Sequence, residues 1–230
     1  VLFAHQLFMM IPFFNYGEML VSTHAQQQAF CTMLAMQDRM NQRVHPQWID
    51  QQYEWYRAVW IECGELMDHQ GYKWWKKQDT DLEQVQLEVV DIWHFGMSAL
   101  FAAGKSHEAI AAEMLAELEN SEQKSTDVLT ATEALASHSL VSRSFSVALF
   151  RDLLLAVGLD FVTLYRQYVG KNVLNFFRQD YGYKDGSYIK TWAGKEDNVH
   201  LVEVLTELDS DAADFADQVY AALASRYPGA

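Results

Sequence analysis

Apolar positions recur at helical spacing along most of this chain. Phe30, Met33, Leu34, Met36 and Met40 predict a first helix from about Ala25 to Arg43, ending before His45-Pro46. A second runs from near Gln47 to His69. Its Trp48, Tyr53, Trp55, Tyr56, Val59, Trp60, Leu66 and Met67 are apolar nearly all round, which predicts a central place in the core. A third opens on a capping box, with Thr80 as N-cap and Glu83 three residues on, and continues through Val85, Val89, Ile92, Trp93 and Met97 to Gly104. Further helices are expected over residues 106–119, from Asp127 to Ser139, over 145–157 with Gly158 closing the last, and from Asp160 onward. Two more, roughly Asn198–Leu208 and Asp211–Tyr227, close the chain. The passage Glu119–Asp127 predicts a loop or a hinge between lobes, and Tyr181–Asn198 a glycine-rich polar loop.

Composition agrees with an all-α reading. Half of the 230 residues are hydrophobic and only three are proline, where a β-sandwich would need turn signals every 8 to 12 residues. The expected architecture is a helical bundle core with a second helical lobe and a glycine-rich closing loop. Residues 19–230 form one domain in this reading, and residues 1–18 an extension outside the functional unit. That extension is apolar over 1–14, yet too short to span a membrane and without a basic leader region. Cys31 and Cys63 sit in apolar helical stretches without metal-ligand spacing, as expected of reduced core thiols in a cytoplasmic protein.

The chemistry concentrates between Glu62 and Asp91. Glu62/Glu65 and Glu88/Asp91 are carboxylate pairs at i,i+3 spacing, so each pair shares one helix face. The short link Lys73-Trp74-Trp75-Lys76-Lys77 is expected to return the second helix antiparallel to the first, bringing all four carboxylates together. Like charges in a partly buried site raise each other's pKa unless a cation neutralises them. All-oxygen ligation suits a hard ion, Mg2+ or Mn2+. His94 follows Asp91 at the same spacing and is expected to support the site from the core.

Charge sharpens this picture. The formal net charge of -14 argues against a nucleic-acid partner. Six of the seventeen Lys and Arg nevertheless lie between Arg166 and Lys195. Lys171, Asn175 and Arg178 align on one helix face, and Lys184 and Lys190 are interleaved with aromatics. A cationic segment beside a carboxylate cluster is the counterpart expected for a phosphorylated small molecule. Gln37 and Asn41, one turn apart, are either solvated or turned toward a polar ligand.

ExxE followed by ExxD on paired helices resembles the all-α nucleoside triphosphate pyrophosphohydrolases, a group that includes the MazG-like enzymes. AMQDRMN at 35–41, WIECGELMDH at 60–69, YKWWK at 72–76, LEVVDIWHF at 87–95, KNVLNFFRQ at 171–179 and GYKDGSYIKTWAGKEDN at 182–198 together resemble the dimeric dUTPases. The resemblance implies hydrolysis of dUTP and dUDP to dUMP by water attack at the β-phosphate, with Mg2+ as cofactor and a homodimer as the working state. It makes Glu62, Glu65, Glu88 and Asp91 the metal ligands and Glu62 the residue that positions the water. It places Gln37, Asn41, Trp74 and Asn175 around the uracil and deoxyribose. Lys171, Arg178, Lys184, Tyr188, Lys190, Glu196 and Asn198 match the late motifs of phosphate binding and closure. Gly64 departs from the alanine often found there. The rivals are a related pyrophosphohydrolase with another base preference, such as dCTP, a di-iron carboxylate protein, and a non-enzymatic helical protein. The di-iron pattern needs two Glu-x-x-His motifs plus two further glutamates, and this chain offers one imperfect candidate.

Overall fold

A computed structural model describes residues 23–124, 126–209, 212 and 214–228. The reading of residues 1–18 lies outside these described residues. Within them the chain forms nine helices: α1 (Thr23–Val44), α2 (Trp55–Gln70), α3 (Leu82–Leu100), α4 (His107–Glu119), α5 (Val128–Ser142), α6 (Val147–Ala156), α7 (Phe161–Asp180), α8 (Asp197–Glu207) and α9 (Phe215–Arg226). A hairpin of β1 (Thr191–Trp192) and β2 (Lys195–Glu196), paired antiparallel, lies between α7 and α8. No described helix is long and apolar enough to cross a membrane.

The helix starts follow local chemistry. Ser106, Asp127, Ser146 and Asp160 each cap the following helix by accepting a backbone N–H three residues on. Three expectations need correction. The second helix begins at Trp55 rather than near Gln47, because residues 46–52 form turns with Gln52 at φ 50°. Trp48 sits in those turns, buried against Trp55 and Phe101, and donates its indole N–H to Asp38. Its apolar character belongs to the core without belonging to a helix. At α3 the cap is Asp81, which accepts from Gln84 N, while Thr80 donates its hydroxyl to Gln70 O and ties the loop to the end of α2. The same helix stops at Leu100, four residues short of Gly104.

The core is continuous through α1, α2, α3, α6 and α7, with Phe30, Met33, Val59, Leu66, Val89, Trp93, Phe150 and Leu174 buried within it. α2 packs along α3 and α5, and α7 along α1, α8 and α9. Gly96 lets α3 approach the segment that leads into α6: a Cβ there would lie 2.5 Å from the Phe145 ring. The passage after α4 is a loop held by Arg151, which donates to the carbonyls of Leu118, Ser121 and Glu122.

The glycine-rich segment is anchored rather than free. Trp192 is fully buried, donates its indole N–H to Ile189 O at 2.6 Å and stacks on His200. A buried aromatic removes 150–250 Å² from water, roughly 4–6 kcal/mol at about 25 cal/mol/Å². A two-residue hairpin could not hold itself with so few backbone bonds. Tyr227 adds a stacked contact to Tyr188 and accepts from Ile189 N through its hydroxyl.

Gly64 lies on an exposed face in the middle of α2, and a Cβ there would meet nothing within 4 Å. Gly64→Ala should therefore raise stability by about 0.5–1 kcal/mol without altering activity. Thermal melting with a parallel activity assay checks this; a lower melting temperature would contradict it.

Candidate active site

The loop between α2 and α3 returns the chain antiparallel. Gly71, at φ 90°, ends α2, and Asp81 N donates to His69 O at 3.0 Å. This register sets Glu62 and Glu65 opposite Glu88, with carboxylate oxygens of all three within 4.8 Å of one another. Glu88 is buried at 8% exposure, with His69 Nε2 3.6 Å from its carboxylate. Burial pushes the Glu62 carboxyl up to about 8, reinforced by Asp91 and Glu88. Burial and Asp91 push Glu88 up to about 7. These shifts mark charge crowded into a site that the protein compensates only in part, through Lys171. An oxygen-only donor set of this kind fits a divalent cation, with Glu62, Glu65 and Glu88 as the residues able to hold it.

Asp91 stands beside this trio yet is engaged elsewhere: its Oδ2 accepts from Lys171 Nζ at 2.9 Å. Lys171 also donates to Asn198 Oδ1 at 3.3 Å, which is 3.4 Å from Arg178 Nη2. Arg178 donates to Asn175 Oδ1 and makes a two-pronged pair with Asp197, Nε to Oδ2 at 2.8 Å and Nη2 to Oδ1 at 2.9 Å. The Tyr188 hydroxyl donates to the same carboxylate at 2.9 Å. For Asp197, burial favours protonation, but the Arg178 guanidinium outweighs it and holds the carboxyl below its usual range.

A cavity of about 250 Å³ opens beside Asp91, near the lower end of the size range of small-molecule sites. Gln37, Asn41, His94 and Asn175 supply polar lining, and Met40, Trp48, Trp55 and Phe95 supply apolar walls. His94 is buried, with Nδ1 2.8 Å from Val90 O, and burial lowers its pKa to about 4. It is therefore a neutral imidazole with Nδ1 donating, and Nε2 has no hydrogen-bond partner within the protein. His94 contributes no atom to the group formed by Glu62, Glu65 and Glu88, so the described residues do not gather the histidines that a di-iron site needs.

Of the residues singled out in the sequence, the structure thus gathers Glu62, Glu65 and Glu88 in one cluster. Asp91, Lys171, Asn175, Arg178, Tyr188 and Asn198 form a connected polar chain, and Gln37 and Asn41 line the cavity. Trp74 stands apart at 90% exposure, edge-on to Trp75. Lys190 pairs with Glu196 on the surface at 3.0 Å, and Lys184 is exposed. Asp197 and Ser98 went unnoticed in the sequence. Asp197 carried a signal, as the acid beside Asn198 in a cationic segment, whereas Ser98, hydrogen-bonded to Gln37 and Asn41, carried none. Cys63 is buried beside the cluster, and burial together with Glu62 pushes its thiol up to about 12, so it is unreactive at neutral pH.

The raised carboxyls give a signed pH dependence. Both carboxyls titrate well above the ordinary carboxylate range, at about 8 and about 7. The stability they contribute is full below about pH 4.5, declines as pH rises above it and is gone once pH passes 7 to 8. A divalent cation binds the ionised forms, so its stabilisation should grow over that window. At about 100 times Kd the expected gain is about 2.7 kcal/mol, on the order of 5–10 °C in melting temperature. Melting curves with Mg2+ and with chelator at pH 6 and pH 8.5 check this, and equal shifts at both would contradict it.

Acidic groups forced together beside a cavity and a cationic helix face are suited to gripping and cleaving a nucleotide phosphate chain. The class so defined is that of the all-α nucleotide hydrolases. Comparison with protein families is more specific: the family model described as dUTPase matches residues 29–183, and the chain belongs to this all-α dUTPase family. It is accordingly a hydrolase acting on dUTP. No curated protein matches the chain.

Proposed function

We propose that the protein converts dUTP and dUDP to dUMP by water attack at the β-phosphate, releasing pyrophosphate from dUTP, with Mg2+ as the natural cation. The observation that carries this reading is the position of Asp91. It raises the pKa values of Glu62 and Glu88, lines the cavity and holds Lys171, so the three parts of the site meet at one residue. Glu62, Glu65 and Glu88 would hold the cation, with Asp91 completing the set on release of Lys171. When bound, Mg2+ supplies Lewis-acid polarisation of phosphate oxygens.

The remaining work falls to the protein's own groups. Glu62 orients the attacking water and receives its proton on a carboxylate oxygen. Lys171 and Arg178 hold phosphate oxygens, and Lys184, Tyr188, Lys190, Glu196 and Asn198 act with them from the anchored glycine-rich segment and its hairpin. Gln37, Asn41 and Asn175 meet the base and sugar, with Trp74 swinging from its exposed position to cover the base. The apolar wall of Trp55 and Phe95 limits room for the thymine methyl, a discrimination worth about 1–3 kcal/mol.

Residues 19–230 act as one catalytic unit in this reading, with any lobe movement centred near 119–127. A cytoplasmic homodimer is the working state, supported by exposed Trp60 and Ile61 on α2 and Val141 on α5. Light scattering tests the dimer. Product analysis with dUTP and Mg2+, alongside dCTP, dTTP and UTP, tests the reaction. Pyrophosphate and dUMP are expected; orthophosphate as the first product, or faster dCTP turnover, would overturn the reading.

A further inference from the structure

The cavity takes part of its wall from a segment without regular structure. Residues 46–53 run in turns between α1 and α2, with Gln52 at φ 50°. Their backbone bonds are local: Gln51 N donates to Trp48 O and Gln52 N to Ile49 O. Yet Trp48 from this segment, and Trp55 just after it, line the cavity beside Gln37, Asn41 and Asn175. Among the described residues, one side-chain hydrogen bond ties residues 46–53 to another element: Trp48 Nε1 donates to Asp38 Oδ1 on α1 at 2.9 Å.

The acceptor serves more than one donor. Asp38 Oδ1 also accepts from Gln42 Nε2 at 2.9 Å, and Oδ2 lies 3.3 Å from His107 Nε2 at the start of α4. One carboxylate thus joins α1, the turns and α4. The other neighbours of Trp48 are rings, Phe101 edge-on with centroids 4.9 Å apart and Trp55 edge-on at 5.8 Å. Ring contacts tolerate sliding and rotation, whereas a buried N–H has to keep its acceptor once water is excluded. Trp48 is 3% exposed, so its indole orientation depends on Asp38. Asp38 itself does not line the cavity.

We propose that Asp38 is a positioning residue for the nucleotide: its carboxylate fixes the indole of Trp48, and through it the aromatic wall of Trp48 and Trp55 against which the base is held. Asp38 meets neither the base nor a phosphate. The proposal rests on the reading of this cavity as the base site and adds the group that sets the cavity's shape.

The test is KM and kcat for dUTP with Mg2+, determined separately and with a melting temperature for each protein. Asp38→Leu, close in size but without an acceptor, should raise KM about tenfold or more while kcat stays within about threefold, because a wall that holds ground and transition states alike acts on KM. Asp38→Ser, whose hydroxyl stops short of the indole, should do the same and covers the case of a leucine variant that fails to fold. Asp38→Asn removes the charge and keeps the acceptor. Its amide oxygen can accept from Trp48 and Gln42 while its amide hydrogens face His107 Nε2, so KM should stay within about twofold of wild type. In a Trp48→Phe background, which has no indole N–H to hold, Asp38→Ser should change KM less than about twofold further. An unchanged KM in Asp38→Leu or Asp38→Ser, with only kcat or the melting temperature lowered, would show a merely structural role and overturn the proposal. So would a KM in Asp38→Asn as high as in Asp38→Leu, or a full additional effect in the Trp48→Phe background. Wild-type protein that fails to turn over dUTP would overturn the functional reading itself, a result visible before any variant is made.

Discussion

Glu62→Gln is expected to reduce dUTP turnover by about 10³-fold or more while leaving the helical fold intact. General base catalysis alone accounts for about 10²–10⁴ in rate, and the substitution also removes a charged oxygen from the cation site. The accompanying stability change separates this outcome from simple damage. At pH 8 without added cation, the Glu62 carboxylate is forced against Glu88 and Asp91 within a partly buried site. A neutral amide of the same shape relieves that repulsion, so the metal-free variant should melt no lower than wild type, and its melting temperature should respond less to Mg2+. Pyrophosphate release and circular dichroism melting measure the two halves. Activity within tenfold of wild type would remove Glu62 from the proton-transfer role.

The second large effect is expected at Asp197. Its carboxylate has no exposure, pairs through both oxygens with Arg178 and accepts from Tyr188. Asp197→Ala leaves a guanidinium buried without its counter-charge, a change that typically costs about 3–5 kcal/mol. For a chain of this length that is a fall of roughly 6–15 °C in melting temperature. Turnover should drop by about 10²-fold, because a displaced Arg178 no longer meets the phosphate where it is needed. Arg178→Lys should not substitute, since a point ammonium cannot span both oxygens of Asp197. If Asp197→Ala melts like wild type, the pair is not what holds α7 to α8.

These two residues differ in how far the sequence could reveal them. Glu62 with Glu65, and Glu88 with Asp91, are visible because three-residue spacing in a helical pattern is local, and a short link makes the helices neighbours. Ser98 finds its partners 61 and 57 positions away, and Tyr168 one of its own 131 away, so no local pattern carries them. The start of α2 departs from the apolar pattern for the opposite reason: Trp48 extends that pattern from a turn and is buried without helical backbone. In the late cationic segment the sequence marks the charges but not their directions. Lys171 and Arg178 point into the polar chain, whereas Lys190 is spent on Glu196 at the surface.

The contact between Lys171 and Asp91 also bears on the order in which ligands arrive. In the proposed reaction a cation that takes Asp91 as a ligand displaces an ammonium already there, and that ammonium is the group proposed to meet phosphate. Binding at this site would then be an exchange of partners rather than an addition of charge. Cation and nucleotide should each raise the other's affinity by the same factor, since linkage between two sites is reciprocal. Lys171 is the residue through which that coupling would pass.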